Sequence, residues 1–195
     1  DDARGQVCYT PRFVSPAQAE AWFAALRAEV EWKAERRQMY DREVDVPRLT
    51  AHFALAPRDG EAAPPSAILE AAQDLIARTG VPFTGVGLNR YRDGRDSVAP
   101  HNDHLDVLVA GFPIALLSLG ATRRMTIRAK AAPRRILHVD LEAGSLLLMS
   151  YETQLHYTHG VPKVAEPVGE RISVAFRVRP PPSPLGRASR RDPYR

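Results

Sequence analysis

The sequence predicts a mainly β domain with two flanking helices (α+β), its short strands closing into a sandwich or barrel. Three observations lead there. From residue 83 onward the apolar residues fall in short β-rich runs separated by turn residues. Before that point two segments carry the longer helical period. Seventeen prolines in 195 residues, spread along the chain and grouped as PPPSP near its end, leave little room for long helices.

Each element follows from its residues. SPAQAEAWFAALRAEVEW (15–32) opens with Ser15, a good N-cap, and Pro16, which suits the first helical position. Trp22, Phe23, Leu26 and Val30 recur on one face. SAILEAAQDLIARTG (66–80) is read as a helix capped by Ser66 and ended by Gly80 and Pro82. Its apolar stripe is Ile68, Leu69, Ala72, Leu75 and Ile76. Strands are expected at 83–91, 113–121, 125–130, 134–141, 144–150 and 171–179, most of them bounded by turn residues such as DG (93–94) and EAG (142–144). Residues 33–65 mix short strand candidates with an irregular, proline-containing loop. The two helices are expected to brace one sheet. Residues 1–179 then form a single domain, and 180–195 a basic, proline-rich, disordered tail.

The formal charge is +4, and its location matters more than its size. From Arg177 to the end there are six arginines and one acid, Asp192, so that segment carries +5 and the rest is near neutral. Such a tail can contact phosphates, but charge alone does not define a nucleic-acid protein. Cys8 is the sole cysteine, so no intramolecular disulfide forms, which fits a reducing compartment. No stretch has the length and apolarity of a membrane span, and DDARGQVCYT lacks the basic-then-apolar pattern of a secretory signal. A cytoplasmic monomer without membrane attachment is expected.

The chemistry is concentrated in APHNDHLDVL (99–108). In an extended segment His101 and Asp103 point to one side, with Asn102 and His104 on the other. An imidazole and a carboxylate supply two corners of a metal site, and a third ligand must come from elsewhere. Two histidines and a carboxylate with open positions is the arrangement of non-haem Fe(II) oxygenases. A second His-x-Asp, His138–Asp140, competes with the first. Three or four strand candidates separate Asp103 from QLHYTHGVPK, the source of a distant histidine, whereas only one follows Asp140. The pair 101/103 is therefore favoured. His159 is preferred to His156 because Gly160 and Pro162 suggest a tight, open turn suited to presenting a ligand. H-E-x-x-H, G-x-S-x-G and P-loop signatures are absent.

LNRYRDGRDSVAPHND, SLGATRRM, THGVPK and RISVAFR resemble, in order, the blocks of the AlkB family of Fe(II)/2-oxoglutarate dioxygenases, and VPRLTAHF (46–53) resembles the family's VPR-x-TA segment. The similarity runs from about residue 40 to residue 179. It implies a double-stranded β-helix, a jelly-roll core with iron in its mouth. Carried over, His101, Asp103 and His159 are the iron ligands. Arg171 pairs with the distal carboxylate of 2-oxoglutarate, Arg177 sits near the keto-acid end and Asp103, and Asn89 and Tyr91 hydrogen-bond the co-substrate. The physics of RISVAFR agrees. Arg171, Ser173, Ala175 and Arg177 share one strand face, opposite Val174 and Phe176, and an arginine fork matches a carboxylate. A buried arginine without an anion is costly, so the pocket calls for a dianion.

The reaction implied by the resemblance uses Fe(II), 2-oxoglutarate and O2. 2-Oxoglutarate is decarboxylated to succinate while a C–H bond of the substrate is hydroxylated, and a hydroxylated N-methyl group leaves as formaldehyde. The leading expectation is demethylation of N-alkylated bases in DNA or RNA, with nucleic acid as partner. Two departures bear on this. Ser173 stands where the family has Asn. Leu105 stands where repair members place an acid two residues after the liganding Asp; Asp106 is one residue out of phase unless a bulge rotates it inward. Residues 36–55 occupy the substrate-lid region. There Arg36, Arg37 and Arg48 are candidates for phosphate contacts, and Met39, Tyr40 or Phe53 for stacking on a base. Tyr151 and His156 are candidates for lining the pocket. Two alternatives stay open: the same oxygenase chemistry on a protein side chain or small metabolite, and a jelly-roll sensor module without turnover.

Overall fold

The computed structural model describes residues 2–39 and 42–181; for 37–39 and 42–45 it describes the backbone only. Of the tail expected at 180–195, residues 182–195 lie outside the described residues, as do Tyr40 and the side chains of Arg37 and Met39. Eleven strands and three helices are described. In chain order they are β1 (Val7–Thr10), α1 (Pro16–Glu29), β2 (Lys33–Met39), β3 (Arg42–Ala54), α2 (Ser66–Thr79), β4 (Gly85–Tyr91), β5 (Val98–His101), β6 (Ile114–Gly120), β7 (Arg123–Ala129), β8 (Ile136–Leu141), β9 (Leu146–Met149), α3 (Tyr151–His156), β10 (Tyr157–Val161) and β11 (Arg171–Arg177).

The strands form two antiparallel sheets, ordered β1-β9-β6-β11-β4-β3-β2 and β5-β10-β7-β8. Strands β4 to β11 are dealt between the sheets as β9-β6-β11-β4 and β5-β10-β7-β8, which is the pairing of a double-stranded β-helix. All six strand candidates are strands; five are trimmed within the expected ranges, and the one expected at 125–130 starts two residues earlier, at Arg123. The other five were given no ranges, although strand candidates were expected within 33–65, where β2 and β3 lie, and an extended segment at His101, where β5 ends. β2 reads KAERRQM, with almost no apolar alternation. β3 contains Pro47, which sits where the β2–β3 register shifts and so interrupts no regular ladder. β1, β5 and β10 are only four or five residues long.

Period-two alternation sorts the strand residues into two cores. Ala115, Leu117, Leu119, Ile172, Val174 and Phe176 face the helices, packing against Trp22, Leu26, Ile68 and Leu75. Their neighbours Ile114, Leu116 and Ala175 face inward, where they meet Met125, Ile127, Leu141 and Val161 of the smaller sheet. The helices thus cover the outer face of the larger sheet. Ser15 caps α1, its hydroxyl accepting from the Gln18 N–H at 3.2 Å. The second helix corrects two expectations. Ser66 is its first residue rather than its cap; Pro65 holds the cap position in an extended conformation and makes no side-chain cap bond. Its buried face is Ala67, Ile68, Ala71, Ala72 and Leu75, while Leu69 and Ile76 are each 38% exposed. Ile68 and Leu75, with three alanines between and beside them, make up the packed side. Gly80 ends α2 in the left-handed conformation (φ 68°) and donates to the Ile76 carbonyl at 2.8 Å. Among the described residues no helix is long and apolar enough to cross a membrane.

Phe176 is fully buried, and its ring lies 6.0 Å from that of Phe83. Phe176→Ala is expected to cost about 3–5 kcal/mol of unfolding free energy in urea titration.

Candidate metal centre and co-substrate pocket

The centre is assembled where β5 meets β10. His159 and His101 are register partners, and their ring centroids lie 4.5 Å apart. The pairing depends on Gly160. A Cβ there would stand 2.9 Å from the Val98 carbonyl oxygen and 3.0 Å from the Pro100 nitrogen, both backbone atoms. Glycine lets β10 lie close enough to β5 for the two imidazoles to meet. Gly160 is therefore inside a strand, not in the turn expected at Gly160–Pro162. His159 shares the inward face with its cross-strand partner Ile127.

Asp103 arrives differently from the expectation. β5 stops at His101, residues 102–104 are irregular, and Leu105–Val107 form a 3₁₀ turn. No strand alternation places Asp103 beside His101. Its position is fixed by two bonds: Arg177 Nε donates to Asp103 Oδ2 at 2.5 Å, and the Asp103 N–H donates to Gln154 Oε1 at 3.0 Å. Potential ligand atoms of His101, Asp103 and His159 all lie within 4.8 Å of one another, and this is the one such cluster of three among the described residues. His101 Nδ1 lies 2.9 Å from the Ala99 carbonyl oxygen, an acceptor, which makes Nδ1 the protonated nitrogen and leaves Nε2 facing Asp103 Oδ1 at 3.9 Å. Asp103 and His159 are buried, while the His101 side chain is 32% exposed, so the centre opens on that side.

The rival pair is a surface feature. Asp140 is bound through both carboxylate oxygens by Arg124, at 2.7 and 2.8 Å, and exposed His138 contacts Thr126 Oγ1. His156 is exposed at the end of α3.

Electrostatics favour ligation. Burial alone would raise the Asp103 carboxyl, but the Arg177 guanidinium, through charge and hydrogen bond, holds it below the usual range. Burial, reinforced by neighbouring His101, pushes His159 down to about 4. Burial likewise lowers His101. At neutral pH the centre offers two neutral imidazoles and a carboxylate, the protonation states a metal requires.

A second cationic group stands at the other end of β11. Arg171 is completely buried, and Nη2 donates to Ser118 Oγ at 2.9 Å. Nε and Nη1 have no partner among the protein atoms. Burial weakens the guanidinium's hold on its proton, as does the nearby Arg123 charge. Arg171 and Arg123 lie over the same Tyr91 ring, at 5.1 and 5.6 Å from its centroid. Arg123 is anchored on the carbonyls of Asp93, Asp96 and Pro162, so it ties the 93–96 turn to the end of β10. Ser173 is buried between its cross-strand partners Asn89 and Ser118. A buried guanidinium with two unspent donors is costly unless an anion meets it, and a carboxylate fits that fork.

Some candidates land elsewhere. Arg48 does not project as a surface phosphate contact; Nε donates to Asn89 Oδ1 at 2.7 Å and Nη1 to the Ser97 carbonyl at 3.4 Å. Phe53 packs against the helix-side core, which removes it as a stacking platform. Arg36 is exposed on β2, its Cα opposite Asp45. Leu105 and Asp106 are exposed in the 3₁₀ turn, so strand phase does not decide which of them faces substrate. Tyr151 opens α3 and packs against the inter-sheet core. Gln154, Ser118 and Arg123 were not singled out from sequence, because nothing local marks a buried glutamine, serine or arginine as a partner of Asp103, Arg171 or the 93–96 turn.

The profile of the 2OG-Fe(II) oxygenase superfamily matches residues 6–177. The chain belongs to this superfamily. Human DNA oxidative demethylase ALKBH2 is 30% identical over 198 residues, covering 90% of this chain and 74% of that protein. The mouse protein of the same name is 32% identical over 199 residues, covering 90% and 81%. Bovine alpha-ketoglutarate-dependent dioxygenase alkB homolog 3 is 32% identical over 187 residues, covering 88% and 65%. The solved structure of OsALKBH1 superposes with a TM-score of 0.57 at 14% identity, over 91% of this chain and all of that one, which bears on the fold. Within the superfamily the chain is an AlkB-type dioxygenase, and its cofactor and co-substrates are Fe(II), 2-oxoglutarate and O2.

Two outcomes are expected. Gly160→Ala should separate β10 from β5, weakening Fe(II) binding while costing about 1–3 kcal/mol in urea unfolding. In the metal-free protein, neutral His159 contributes stability that is fully present above the ordinary histidine value of 6.5 and is lost as pH falls toward about 4, because the unfolded chain binds the proton first. Urea titrations across that window should show the loss, and His159→Gln should reduce it; an undiminished slope would contradict the assignment.

Proposed function

We propose that this dioxygenase removes N-alkyl groups from nucleobases in DNA or RNA. One observation carries the reading: β11 has an open His-Asp-His cluster tied to Arg177 at one end and a buried Arg171 with unspent donors at the other, in a chain related over 90% of its length to DNA oxidative demethylases. His101, Asp103 and His159 are the residues that would hold Fe(II), His101 through Nε2. Arg171 would receive the distal carboxylate of 2-oxoglutarate on its unspent Nε and Nη1 donors. Asn89, Tyr91 and Ser173 would line the co-substrate between its two ends. Arg177, already bound to Asp103, would keep that carboxylate ionised and oriented.

With Fe(II) and O2 bound, oxidation of 2-oxoglutarate to succinate and CO2 supplies the chemistry that hydroxylates a substrate C–H bond. The chain's own work is placement. The two sheets exclude water around Asp103 and His159, and the exposed side of His101 leaves an entrance for the substrate carbon. The hydroxylated N-methyl group then breaks its C–N bond: the hydroxyl proton leaves, formaldehyde departs and the ring nitrogen is restored.

Nucleic acid would approach over paired β2 and β3, and the candidates to meet it in the sequence there are Arg36, Arg37, Met39 and Tyr40. Exposed Leu105 favours a second reading. An apolar residue at the mouth, in place of an acid, suits a protein side chain or small metabolite as substrate.

Oligonucleotides bearing 1-methyladenine or 3-methylcytosine, incubated with Fe(II), 2-oxoglutarate and O2, should lose methyl and release formaldehyde. His101→Ala should abolish turnover. Arg171→Met should raise KM for 2-oxoglutarate on the order of a hundredfold, the cost of removing one buried charge partner. Loss of methyl from neither oligonucleotide, together with 2-oxoglutarate turnover on another compound, would select the second reading.

A further inference from the structure

Asp103 is the ligand that no strand holds. β5 ends at His101, and residues 102–104 form no ladder. The buried Asp103 N–H is satisfied by one side chain, Gln154, whose Oε1 accepts it at 3.0 Å across 51 residues of sequence. Gln154 is 1% exposed and both ends of its amide are spent, because Nε2 donates to Thr153 Oγ1 at 3.0 Å. It is therefore an acceptor aimed at the ligand's backbone rather than a further ligand.

The helix that carries Gln154 is pinned at both ends. Thr153 Oγ1 donates to the Ser150 carbonyl at 2.6 Å, and Ser150 is bonded twice to Gln6: the Gln6 N–H meets Ser150 Oγ at 3.1 Å and the Ser150 N–H meets the Gln6 carbonyl at 2.9 Å. At the other end Lys130 Nζ donates to the carbonyls of Gln154 and Leu155, at 2.9 and 3.1 Å. α3 then runs directly into β10, which delivers His159. One short, anchored helix thus touches two of the three ligand-bearing segments, one by a hydrogen bond and the other by the chain itself.

We infer that Gln154 is a positioning residue for the iron ligands: it holds the Asp103 backbone in register with His159, so that carboxylate and imidazole converge on one ion. The inference rests on the reading of His101, Asp103 and His159 as ligands. Without the acceptor, the Asp103 N–H is left buried and unpaired, and the irregular segment must shift to find water. Arg177 would still grip the carboxylate, but from a displaced backbone.

Metal-free protein titrated with Co(II), followed by its visible d–d absorption, tests this directly. Gln154→Leu keeps the shape and removes the acceptor; Gln154→Asn keeps the amide but falls one methylene short. Both should bind Co(II) about 10–100-fold more weakly than wild type and with an altered absorption envelope, while Leu155→Ala, at an exposed position of the same helix, leaves the Gln154 bonds in place and should bind within about twofold of wild type. Wild-type affinity and spectrum in either folded Gln154 variant would overturn the inference. So would unfolding of both Gln154 variants beside a folded Leu155→Ala, which would assign Gln154 to the fold alone. Failure of the wild type to bind Co(II) is a different result, and it would remove the ligand reading itself.

Discussion

β11 places a guanidinium at each end of one inward strand face, and the site depends on what meets those two charges. Interior cations require partners. At the mouth, Arg177 has one in Asp103, and the ion pair keeps a buried carboxylate ionised. Deeper in, Arg171 has a serine and an aromatic ring but two unspent donors. One end of the strand is complete within the protein; the other becomes complete only with an anion. The same strand's opposite face, Ile172, Val174 and Phe176, packs against the helices, so the charges cannot relax outward without breaking a core.

The fold supplies the rest by bringing distant segments to one point. His101 and His159 meet because β5 and β10 pair, and they pair closely because residue 160 has no side chain. Asp103 meets them because side chains from β11 and α3 hold an irregular segment. The centre is therefore closed on its Asp103 and His159 side and open where His101 reaches the surface.

Much of this was legible in the sequence, and the reasons differ by residue. His-x-Asp and the distant His159 could be paired because strand count favoured 101/103 over His138–Asp140, and these are the residues that cluster. The alternation of RISVAFR showed which face carried charge. What failed was local geometry. Asp103 lies beyond the end of its strand, Gly160 lies within one, and Pro65 rather than Ser66 caps α2. Each error came from reading a short motif by its commonest conformation, where tertiary contacts decided otherwise. Arg48 looked like a surface cation and instead binds Asn89 inside the site. Gln154 carried no signal, because its role exists only once residues 103 and 154 are neighbours.

The central claim is that buried Arg171 selects a co-substrate by its second carboxylate. Isothermal titration of Mn(II)-loaded protein without O2, comparing 2-oxoglutarate with 2-oxopentanoate, tests it most directly. The two differ only at the distal end, a carboxylate in one and a methyl in the other. Binding of 2-oxoglutarate tighter by on the order of a hundredfold or more is predicted, from the cost of leaving a buried charge unpaired. Equal affinity for the two would contradict the account.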